Sequence, residues 1–541
     1  MSTAPIHPPV PAWVDHAVFY QIYPQAFADS NGDGIGDLPG LIGKLDYIAG
    51  LGVNAIWVSP FYKSPMRDAG YDVADFYSVD PRYGTADDAR RLFAEAKKRG
   101  IRVLLDFVAG HTSIDHPWFQ ASCHDPESPH YNWYVWTDRT WESGGPDFRH
   151  SMMHGFCERD GNFLFNFFWH QPALNYGFAQ PDQPWQLSVD HPDVRALWRE
   201  MINVLCFWLK EGASGFRVDM AGSITKNDPD KTEARRFWRA ARAAMEKIDP
   251  EVFTVAEWSN PAHCLDGTGL HADFFHWDSS YQKLFRNEAR RAPGDRREGH
   301  SFFDREGKGD IDAFLQVYLP HYEASREKGY ISIPVANHDL SRINIDRTPR
   351  ELEIIYAFLF AMPGVPFFYY GDEIGMRQLP GLPNREGSYP PRSGARTPMQ
   401  WTGGPNAGFS AAAAEQLWYP VDPAPHAPHV AGQEGRPEAL LERTRALIRL
   451  RREEPALAAH ADFRVLHSGP NVYPFVFWRA QGESRLVIVL NPADRPFSIE
   501  IELPEAAGAA RQLAGCDAEL RIVGRRALVS GKGLSYGIFK V

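Results

Sequence analysis

Arg217 and Asp219 lie two residues apart in the stretch Gly215–Asp219 and could act at one chemical site. Residues two apart on a β-strand point to the same face, so Phe216 and Val218 pack on the opposite face. An arginine next to an aspartate favours the ionised form of the carboxyl group. An ionised aspartate at the end of a strand can attack an acetal carbon, and the pattern therefore indicates glycoside chemistry.

Two more carboxyl groups, those of Glu257 and Asp339, each follow a short apolar run of their own. Glu257 lies between Ala256 and Trp258, and burial against such neighbours favours the neutral form of a carboxylic acid. A retaining glycosidase needs two carboxyl groups about 5–5.5 Å apart, one ionised and one protonated. We therefore predict that Asp219 is the ionised group and that Glu257 is the protonated one.

Short apolar runs alternate with amphipathic helical patterns from residue 18 to about residue 457, and such alternation predicts a parallel sheet. Eight runs have the character of strands: Val18–Tyr23, Asn54–Val58, Arg102–Val108, Ser214–Asp219, Val252–Glu257, Ala272–His276, Tyr330–Val335 and Val365–Tyr370. The order also fits a large open sheet, but a count of eight favours a closed (β/α)8 barrel of the α/β class. The sites of such barrels lie at the carboxyl ends of the strands, where all three carboxyl groups fall.

The chain divides into four predicted segments, of which residues 1–111 and 187–457 form the barrel. Residues 112–186 show no clear helix and are rich in Trp, Phe, His and Pro. Because a long structureless loop is unusual in a compact domain, we interpret this segment as a subdomain inserted after the third strand. Residues 458–541 contain short β runs such as Phe475–Trp478 and predict a separate C-terminal β-sandwich.

The bulk properties of the 541-residue chain exclude several classes of protein. The formal net charge of −11 argues against nucleic acid or an anionic membrane as the main partner. No run of about 18 apolar residues occurs, so we expect no membrane span. The five cysteines are odd in number, and neither a disulfide framework nor a signal peptide is indicated, which predicts a cytoplasmic protein. Monomer and homodimer both stay open.

The ordered motifs of the chain resemble those of the α-amylase family, glycoside hydrolase family 13, and within it the oligo-1,6-glucosidase and α-glucosidase branch. The motifs that carry the resemblance are Asp106–His111, Gly215–Asp219, Glu257 with its neighbours, Asn337–Asp339, Gln171–Asn175 and Arg396–Trp401. The resemblance implies that Asp219 is the nucleophile that forms a covalent glycosyl intermediate. It implies that Glu257 is the acid and base, and that Asp339 stabilises the transition state.

The same resemblance implies a set of substrate-binding residues. His111 and His338 resemble the histidines that bind hydroxyl groups of the sugar at the cleavage point, although a lone histidine at a strand end is more often a core residue. Tyr71 would stack under the glucose ring and Asp68 would accept hydrogen bonds from hydroxyl groups, with an ordinary glycine turn as the alternative. The implied substrate is a small oligosaccharide or disaccharide.

Three further residues complete the predicted substrate-binding set: Arg217, Met220 and Arg342. Arg342 matches an arginine that shapes the acceptor side in this branch, and a surface ion pair is the alternative of equal weight. Met220 follows the nucleophile, where the branch has Val with a preference for α-1,6 linkages and Ala or Thr with a preference for α-1,4 linkages. Methionine is none of these, and the linkage therefore stays open.

The loop Asp29–Asp37 has oxygen-bearing residues at alternate positions, which is the spacing of an EF-hand loop. Position 12 of that pattern is Gly40 instead of Glu, so no EF-hand is completed, but Asp37 can supply the missing carboxylate. The resemblance implies a structural Ca²⁺ or Mg²⁺ here. Its expected ligands are Asp29, Asn31, Asp33, the carbonyl oxygen of Ile35, and Asp37.

These observations lead to one main functional hypothesis and two alternatives. The main hypothesis is a retaining, exo-acting α-glucosidase that hydrolyses short α-glucosides from the non-reducing end. The first alternative is a transglycosylase or isomerase that uses the same site, for example with sucrose or maltose as glucosyl donor. A non-enzymatic binding module is disfavoured because Asp219, Glu257 and Asp339 are all present.

Overall fold

The computed structural model describes residues 8–145, 148, 151–286, 300–386 and 391–541. Its centre is a parallel sheet whose neighbouring strands follow one another in the sequence, with β1 also paired to β8. The strands are β1 (Phe19–Ile22), β2 (Ala55–Val58), β3 (Arg102–Val108), β4 (Gly215–Asp219), β5 (Phe253–Ala256), β6 (Ala272–Phe274), β7 (Tyr330–Ser332) and β8 (Phe367–Tyr369).

The sheet closes on itself between β7 and β8. The backbone N–H of Val365 donates to the carbonyl oxygen of Ile331 at 3.2 Å, which joins the two strands at the ends of the sheet. The predicted (β/α)8 barrel is therefore confirmed over the open sheet. Each of the eight predicted runs contains a barrel strand, and most of these strands are one to three residues shorter than the predicted run.

Alternate residues of the barrel strands point inwards and form a compact central core. This core includes Phe19, Trp57, Leu104, Phe253, Phe274 and Phe367, all of them buried. The rings of Phe19 and Phe367 stack with centroids 4.4 Å apart. The outward-facing residues pack against the surrounding helices in a second, larger core. Because each strand is buried on both faces, its sequence is a nearly continuous run of apolar residues.

The described helices lie mainly around the barrel. Their bounds are Leu38–Ile42, Leu45–Leu51, Ala86–Lys98, Pro117–His124, Pro192–Glu211, Thr232–Met245, Pro261–Cys264, Ser279–Phe285, Asp312–Ser325, Pro349–Ala361, Pro391–Ala395, Val430–Gln433 and Leu440–Glu453. Short 3₁₀ turns occupy Ala12–Val14, Pro24–Ala26, Asp372–Ile374, Pro405–Gly408, Ala414–Gln416 and Pro455–Leu457. Within the described residues, none of the helices has both the length and the apolar character that a bilayer span requires.

The segment after β3 contains more regular structure than the sequence predicted. The helix Pro117–His124 begins at a proline and is capped by the side chain of His116, and a hairpin joins Met152–His154 to Asn162–Leu164. The expectation of no clear helix in this segment was wrong, because eight residues of mixed aromatic and polar character are too short to show a helical period. A second small hairpin pairs Tyr62–Lys63 with Asp75–Val79.

The C-terminal part is an antiparallel β domain of six strands: β9 (Asp462–His467), β10 (Phe475–Gln481), β11 (Ser484–Asn491), β12 (Phe497–Glu502), β13 (Arg511–Val523) and β14 (Arg526–Lys540). The long strand β14 pairs with β11 through its second half and with β12 through its first half. The β domain has a hydrophobic core of its own, which includes Trp478, Val489, Leu520 and Val529. The predicted boundaries between segments stay a prediction.

Arg479 holds the β domain to the barrel. Its buried guanidinium donates to the carbonyl oxygens of Ala361 and Ala458 at 2.6 Å each, and to that of Asp462 at 3.2 Å. Burial lowers the pKa of Arg479 to about 10. The positive charge of Arg479 is compensated by backbone carbonyl dipoles. Removal of the guanidinium therefore leaves several buried carbonyl oxygens without this donor.

We predict that Arg479→Met destabilises the protein by about 2–4 kcal/mol, because buried acceptors of a charged donor lose their partner. The measurement is the Tm in a thermal melt followed by circular dichroism. Arg521→Met is the matched control, since the side chain of Arg521 is largely exposed and forms a surface ion pair with Glu519. Equal melting temperatures for the two variants would contradict the assigned role of Arg479.

Candidate active site

The three predicted carboxyl groups meet at the carboxyl end of the barrel. Asp219 is the last residue of β4, Glu257 directly follows β5, and Asp339 lies on the loop after β7. The first residue of β4 is Gly215, where a Cβ atom would lie only 1.9 Å from the carbonyl oxygen of Phe253. The missing side chain therefore lets β4 approach β5 closely, which brings Asp219 and Glu257 to neighbouring positions.

The buried guanidinium of Arg217 connects the carboxyl groups. Its Nη1 donates to Oδ1 of Asp219 and to Oδ1 of Asp106, both at 2.9 Å, and its Nη2 donates to Oε2 of Glu257 at 2.5 Å. Asp106 also accepts a hydrogen bond from the Tyr71 hydroxyl at 2.7 Å. Arg217 is therefore shared among three acids, and it fixes the relative positions of the two that the sequence assigns to catalysis.

Asp219 and Glu257 differ in the donors around them. Oε1 of Glu257 accepts from Nε1 of Trp277 at 3.0 Å and lies 3.6 Å from Nε2 of His276. Oδ2 of Asp219 is buried and accepts no hydrogen bond from any donor in the described part of the chain. Glu257 therefore has the better stabilised carboxylate, and Asp219 keeps one oxygen that is free of donors.

This difference shifts the pKa values of the two acids in the directions opposite to those expected from the sequence. Burial raises the pKa of Asp219 well above its usual value, and Arg217 offsets this only in part, while the carboxylate of Glu257 adds to the rise. Burial also raises the pKa of Glu257, but Arg217 with His276 and Trp277 outweighs it and lowers the pKa well below its usual value. The sequence placed Arg217 beside Asp219 alone, whereas in the structure its guanidinium also donates to Glu257.

Asp339 is held ionised by two arginines. Nε of Arg392 lies 2.9 Å and Nη2 of Arg396 lies 3.1 Å from its Oδ1. Burial alone would raise the pKa of Asp339, but Arg392, His338 and Arg396 outweigh it and lower the pKa to about 2. A carboxylate with this pKa stays negative at neutral pH and can stabilise positive charge that develops on a sugar.

His338 and Tyr71 form a stacked pair beside Asp339. Their ring centroids lie 5.2 Å apart with nearly parallel planes. Nδ1 of His338 pairs with the Gln21 side-chain amide at 2.8 Å, and Nε2 lies 3.4 Å from Oδ2 of Asp339. With the amide nitrogen of Gln21 as donor, the proton of His338 is on Nε2. Burial lowers the pKa of His338 to about 3, so the ring is neutral at pH 7.

His111 and Asp68 also line the site. The two ring nitrogens of His111 pair with the carbonyl oxygen of Tyr71 and with the amide of Asn166, each at 3.1 Å. Asp68 accepts from the Gln171 amide at 2.7 Å. Burial raises the pKa of Asp68 to about 6 although the charge of Arg392 opposes this shift. The hydroxyl-binding role of His111 stays a prediction, because both of its nitrogens already have partners.

The residues surround a cavity of about 560 Å³. Its lining is Asp68, Tyr71, His111, Phe167, Phe168, Asp219, Met220, Gly222, Ser223, Lys231, Glu257, Trp258, Trp277, Asp339 and Arg392. Seven predicted site residues are thus brought together, while Arg217 and His338 lie directly behind the lining. Met220 has a left-handed backbone with φ of 47°, which turns the chain sharply after the nucleophile position.

Arg342 does not lie where the sequence placed it. Its side chain is 0% exposed, its Nη1 donates to the carbonyl oxygen of Tyr370 at 2.7 Å, and it is absent from the cavity lining. It therefore supports the loop after β8, and its predicted role at the acceptor side stays a prediction. Arg392 lines the cavity instead, and no spacing in the sequence distinguishes it from other arginines.

The aromatic wall of the cavity was not predicted from the sequence. Phe167 and Phe168 come from the inserted subdomain, and Trp277 follows the sixth barrel strand. The run Phe167-Phe168-Trp169 just before the Gln171 motif was a signal that could have been used. Trp277 had no comparable signal, since its position depends on the way the loop after β6 folds back towards Glu257.

The predicted metal loop is held by its own hydrogen bonds. Asp29 accepts from the backbone N–H groups of Asn31, Gly32 and Gly34, and Asp37 accepts from Gly40 and caps the helix that follows. In the part of the chain that the structure describes, no group of three or more His, Cys, Asp or Glu side chains is arranged to hold a metal ion. The three aspartates do not converge, and the structural Ca²⁺ or Mg²⁺ stays a prediction.

The geometry agrees with comparisons to known proteins. Residues 21–460 match the catalytic domain of α-amylases. A trehalose synthase/amylase of Mycobacterium tuberculosis is 31% identical over 549 residues, which cover 92% of this chain and 85% of that protein. A glucan 1,6-alpha-glucosidase of Streptococcus pneumoniae is 30% identical over 531 residues, which cover 91% of this chain and 93% of that protein. Among solved structures, the trehalulose synthase MutB of Pseudomonas mesoacidophila is similar, with 26% identity, a TM-score of 0.79, and coverage of 98% of this chain and 99% of that one.

We predict that Asp68 sets an acid limb of kcat/KM for a short α-glucoside. Its ionised carboxylate can accept hydrogen bonds from sugar hydroxyls, and with a pKa of about 6 it is lost by protonation as the pH falls through that value. Asp68→Asn should lower kcat/KM about 10- to 100-fold at pH 7.5, because a charge-assisted hydrogen bond is removed.

The measurement is the pH profile of kcat/KM for both proteins, and the acid limb near pH 6 should move in the variant. Asp115→Asn is the control, since Asp115 is an exposed carboxylate paired with Arg67 outside the cavity lining. A variant with full activity and an unchanged acid limb would show that Asp68 neither binds substrate nor titrates in this range.

Proposed function

The chain belongs to the α-amylase family, and from this premise we propose that it is a retaining α-glucosyl-transfer enzyme that isomerises a short α-glucoside such as a disaccharide. Hydrolysis of the same substrates from the non-reducing end is the second candidate. Isomerisation is placed before hydrolysis because the trehalose synthases match at 31–32% identity and the glucosidases at 28–30%. Both candidate reactions pass through the same covalent intermediate.

The proposed reaction begins with attack by Asp219 on the anomeric carbon. Its Oδ2, which accepts no hydrogen bond from a donor in the described residues, forms the bond to carbon while Glu257 protonates the leaving oxygen. The leaving sugar then attacks the intermediate through a different hydroxyl, and Glu257 removes the proton of that hydroxyl. Two inversions at carbon give overall retention.

Attack by Asp219 requires that Glu257 carries the proton of this pair and that Asp219 is ionised. Arg217 contacts both carboxyl groups, so it can stabilise the negative charge on either one. In the proposed sequence, substrate binding removes water from the cavity and places the glycosidic oxygen next to Glu257. Glu257 then takes the proton, and Asp219 becomes the ionised nucleophile.

The observation that carries the transfer reaction is the position of Trp277. Its indole N–H donates to Glu257, and its side chain is nevertheless 40% exposed at the cavity. Since the acid faces the leaving group, a ring bound to the acid lies next to the leaving sugar. Aromatic faces bind the apolar faces of sugars, and Trp258 and Phe167 add two more rings to this wall. A sugar retained there competes with water for the intermediate.

The hydrolytic candidate rests on a different feature of the same wall. Phe167 and Trp277 are both partly exposed, so the cavity is open to solvent on this side. Water can therefore reach the intermediate once the leaving sugar has gone. The ratio of transfer to hydrolysis then depends on how long the aromatic wall retains the released sugar.

We predict that incubation with maltose, isomaltose, kojibiose, nigerose, trehalose or sucrose yields an isomeric disaccharide as the main product of the best substrate. Free glucose should be the minor product even at low substrate concentration, because a retained sugar reacts faster than water. The measurement is product analysis by chromatography and NMR. Dominant release of glucose from every substrate would overturn the transfer proposal and favour the hydrolase.

A variant pair sharpens this test. Trp277→Ala should raise the fraction of hydrolysis, because the released sugar loses its stacking surface and water takes its place. Trp141→Ala is the matched control, since Trp141 is almost fully exposed on the inserted subdomain and does not line the cavity. An unchanged ratio of isomer to glucose in Trp277→Ala would contradict the role of Trp277 in retaining the leaving sugar.

A further inference from the structure

Two cysteines of the inserted subdomain are in contact although they lie 34 residues apart. Cys123 is near the end of the helix Pro117–His124, and Cys157 follows the hairpin strand Met152–His154. Sγ of Cys157 donates to the carbonyl oxygen of Cys123 at 3.7 Å. The thiol of Cys157 therefore lies next to the residue that would be its disulfide partner.

The two thiols have unequal environments. Cys123 is buried, whereas Cys157 is partly exposed. The hydrogen bond from Cys123 lowers the pKa of Cys157 to about 6, with a further contribution from the charge of His124, and the same interaction raises the pKa of Cys123. Because the thiolate is the nucleophile in thiol chemistry, Cys157 is the attacking group and Cys123 is the resolving group.

A guanidinium group fixes the surroundings of this pair. Arg159 donates through Nη1 to the carbonyl oxygens of Ser122 and Tyr131, and its guanidinium lies 3.7 Å from the Tyr131 ring centroid. It thus anchors the segment that carries Cys157 to the end of the helix that carries Cys123. A backbone hydrogen bond with Arg159 also lowers the pKa of Cys157.

The cysteine pair connects two elements that lead to the cavity. The helix that carries Cys123 begins six residues after His111, which lines the cavity. The hairpin next to Cys157 returns through the strand Asn162–Leu164 to Phe167 and Phe168, which form part of the aromatic wall. A bond between the two sulfurs would therefore cross-link the inserted subdomain behind that wall.

We propose that Cys123 and Cys157 form a site of reversible thiol–disulfide exchange whose oxidant is a low-molecular-weight disulfide. The Cys157 thiolate attacks one sulfur of the small disulfide, forms a mixed disulfide and releases the first small thiol. Cys123 loses its proton and attacks Sγ of Cys157, which releases the second small thiol. The two protein thiols are oxidised to a disulfide, and the small disulfide is reduced to two thiols.

The test treats the full-length protein with oxidised glutathione and then with dithiothreitol. Of the five free thiols, the wild type should lose two on oxidation and regain them on reduction, and the peptides of Cys123 and Cys157 should be found cross-linked. The oxidised protein should have a higher Tm than the reduced protein, because the cross-link restricts the unfolded chain.

Single variants separate this site from general thiol oxidation. Cys123→Ser should accumulate a glutathione adduct on Cys157, since the resolving thiol is missing, and Cys157→Ser should form neither adduct nor cross-link at Cys123. Cys206→Ser is the matched control, because Cys206 is a partly exposed cysteine on the helix Pro192–Glu211, and this variant should still form the cross-link.

Two results would overturn the proposal. The first is a wild type that keeps all five thiols under conditions in which glutathione adducts form on a reference thiol peptide. The second is a cross-link that joins other cysteines. If Cys123→Ser failed to fold, peptide mapping of the wild-type protein alone would still decide between these outcomes.

Discussion

One buried cation, the guanidinium of Arg217, determines the arrangement of the site. It binds Asp106 on β3, Asp219 on β4 and Glu257 after β5, so it links the ends of three neighbouring strands. A buried charge is costly unless it is paired, and three carboxyl groups around one guanidinium would repel each other without it. The barrel supplies the strand ends that hold these groups in register, and the shared cation fixes the relative positions of Asp219 and Glu257.

The other parts of the molecule shape the space around this centre. The inserted subdomain contributes Phe167 and Phe168, and the loop after β6 contributes Trp277. On the opposite side, Arg392 lies between Asp339 and Asp68, 2.9 Å and 3.4 Å from their carboxylates. The charged side of the cavity is suited to a glucosyl group that gains positive charge, and the aromatic side is suited to the sugar that leaves.

Much of this could be predicted from the sequence, for reasons that are local. Strands buried on both faces leave continuous apolar runs, and the spacing of Arg217 and Asp219 on one strand puts their side chains on one face. Arg342 and Arg392 could not be distinguished in this way, because the fold of long loops decides which arginine reaches the cavity. The pKa shifts of Asp219 and Glu257 also escaped prediction, since they depend on Trp277 and on the contacts of Arg217 with both acids.

The most direct test of this account is to identify the residue that carries the covalent intermediate. A fluorinated α-glucosyl fluoride, which forms the intermediate faster than the intermediate decays, would be incubated with the protein, and the labelled peptide would be sequenced by mass spectrometry. The account predicts a single glucosyl adduct on Asp219, with Glu257 as the acid that protonates the leaving group. An adduct on Glu257 or Asp339, or turnover of the reagent without any adduct, would contradict it.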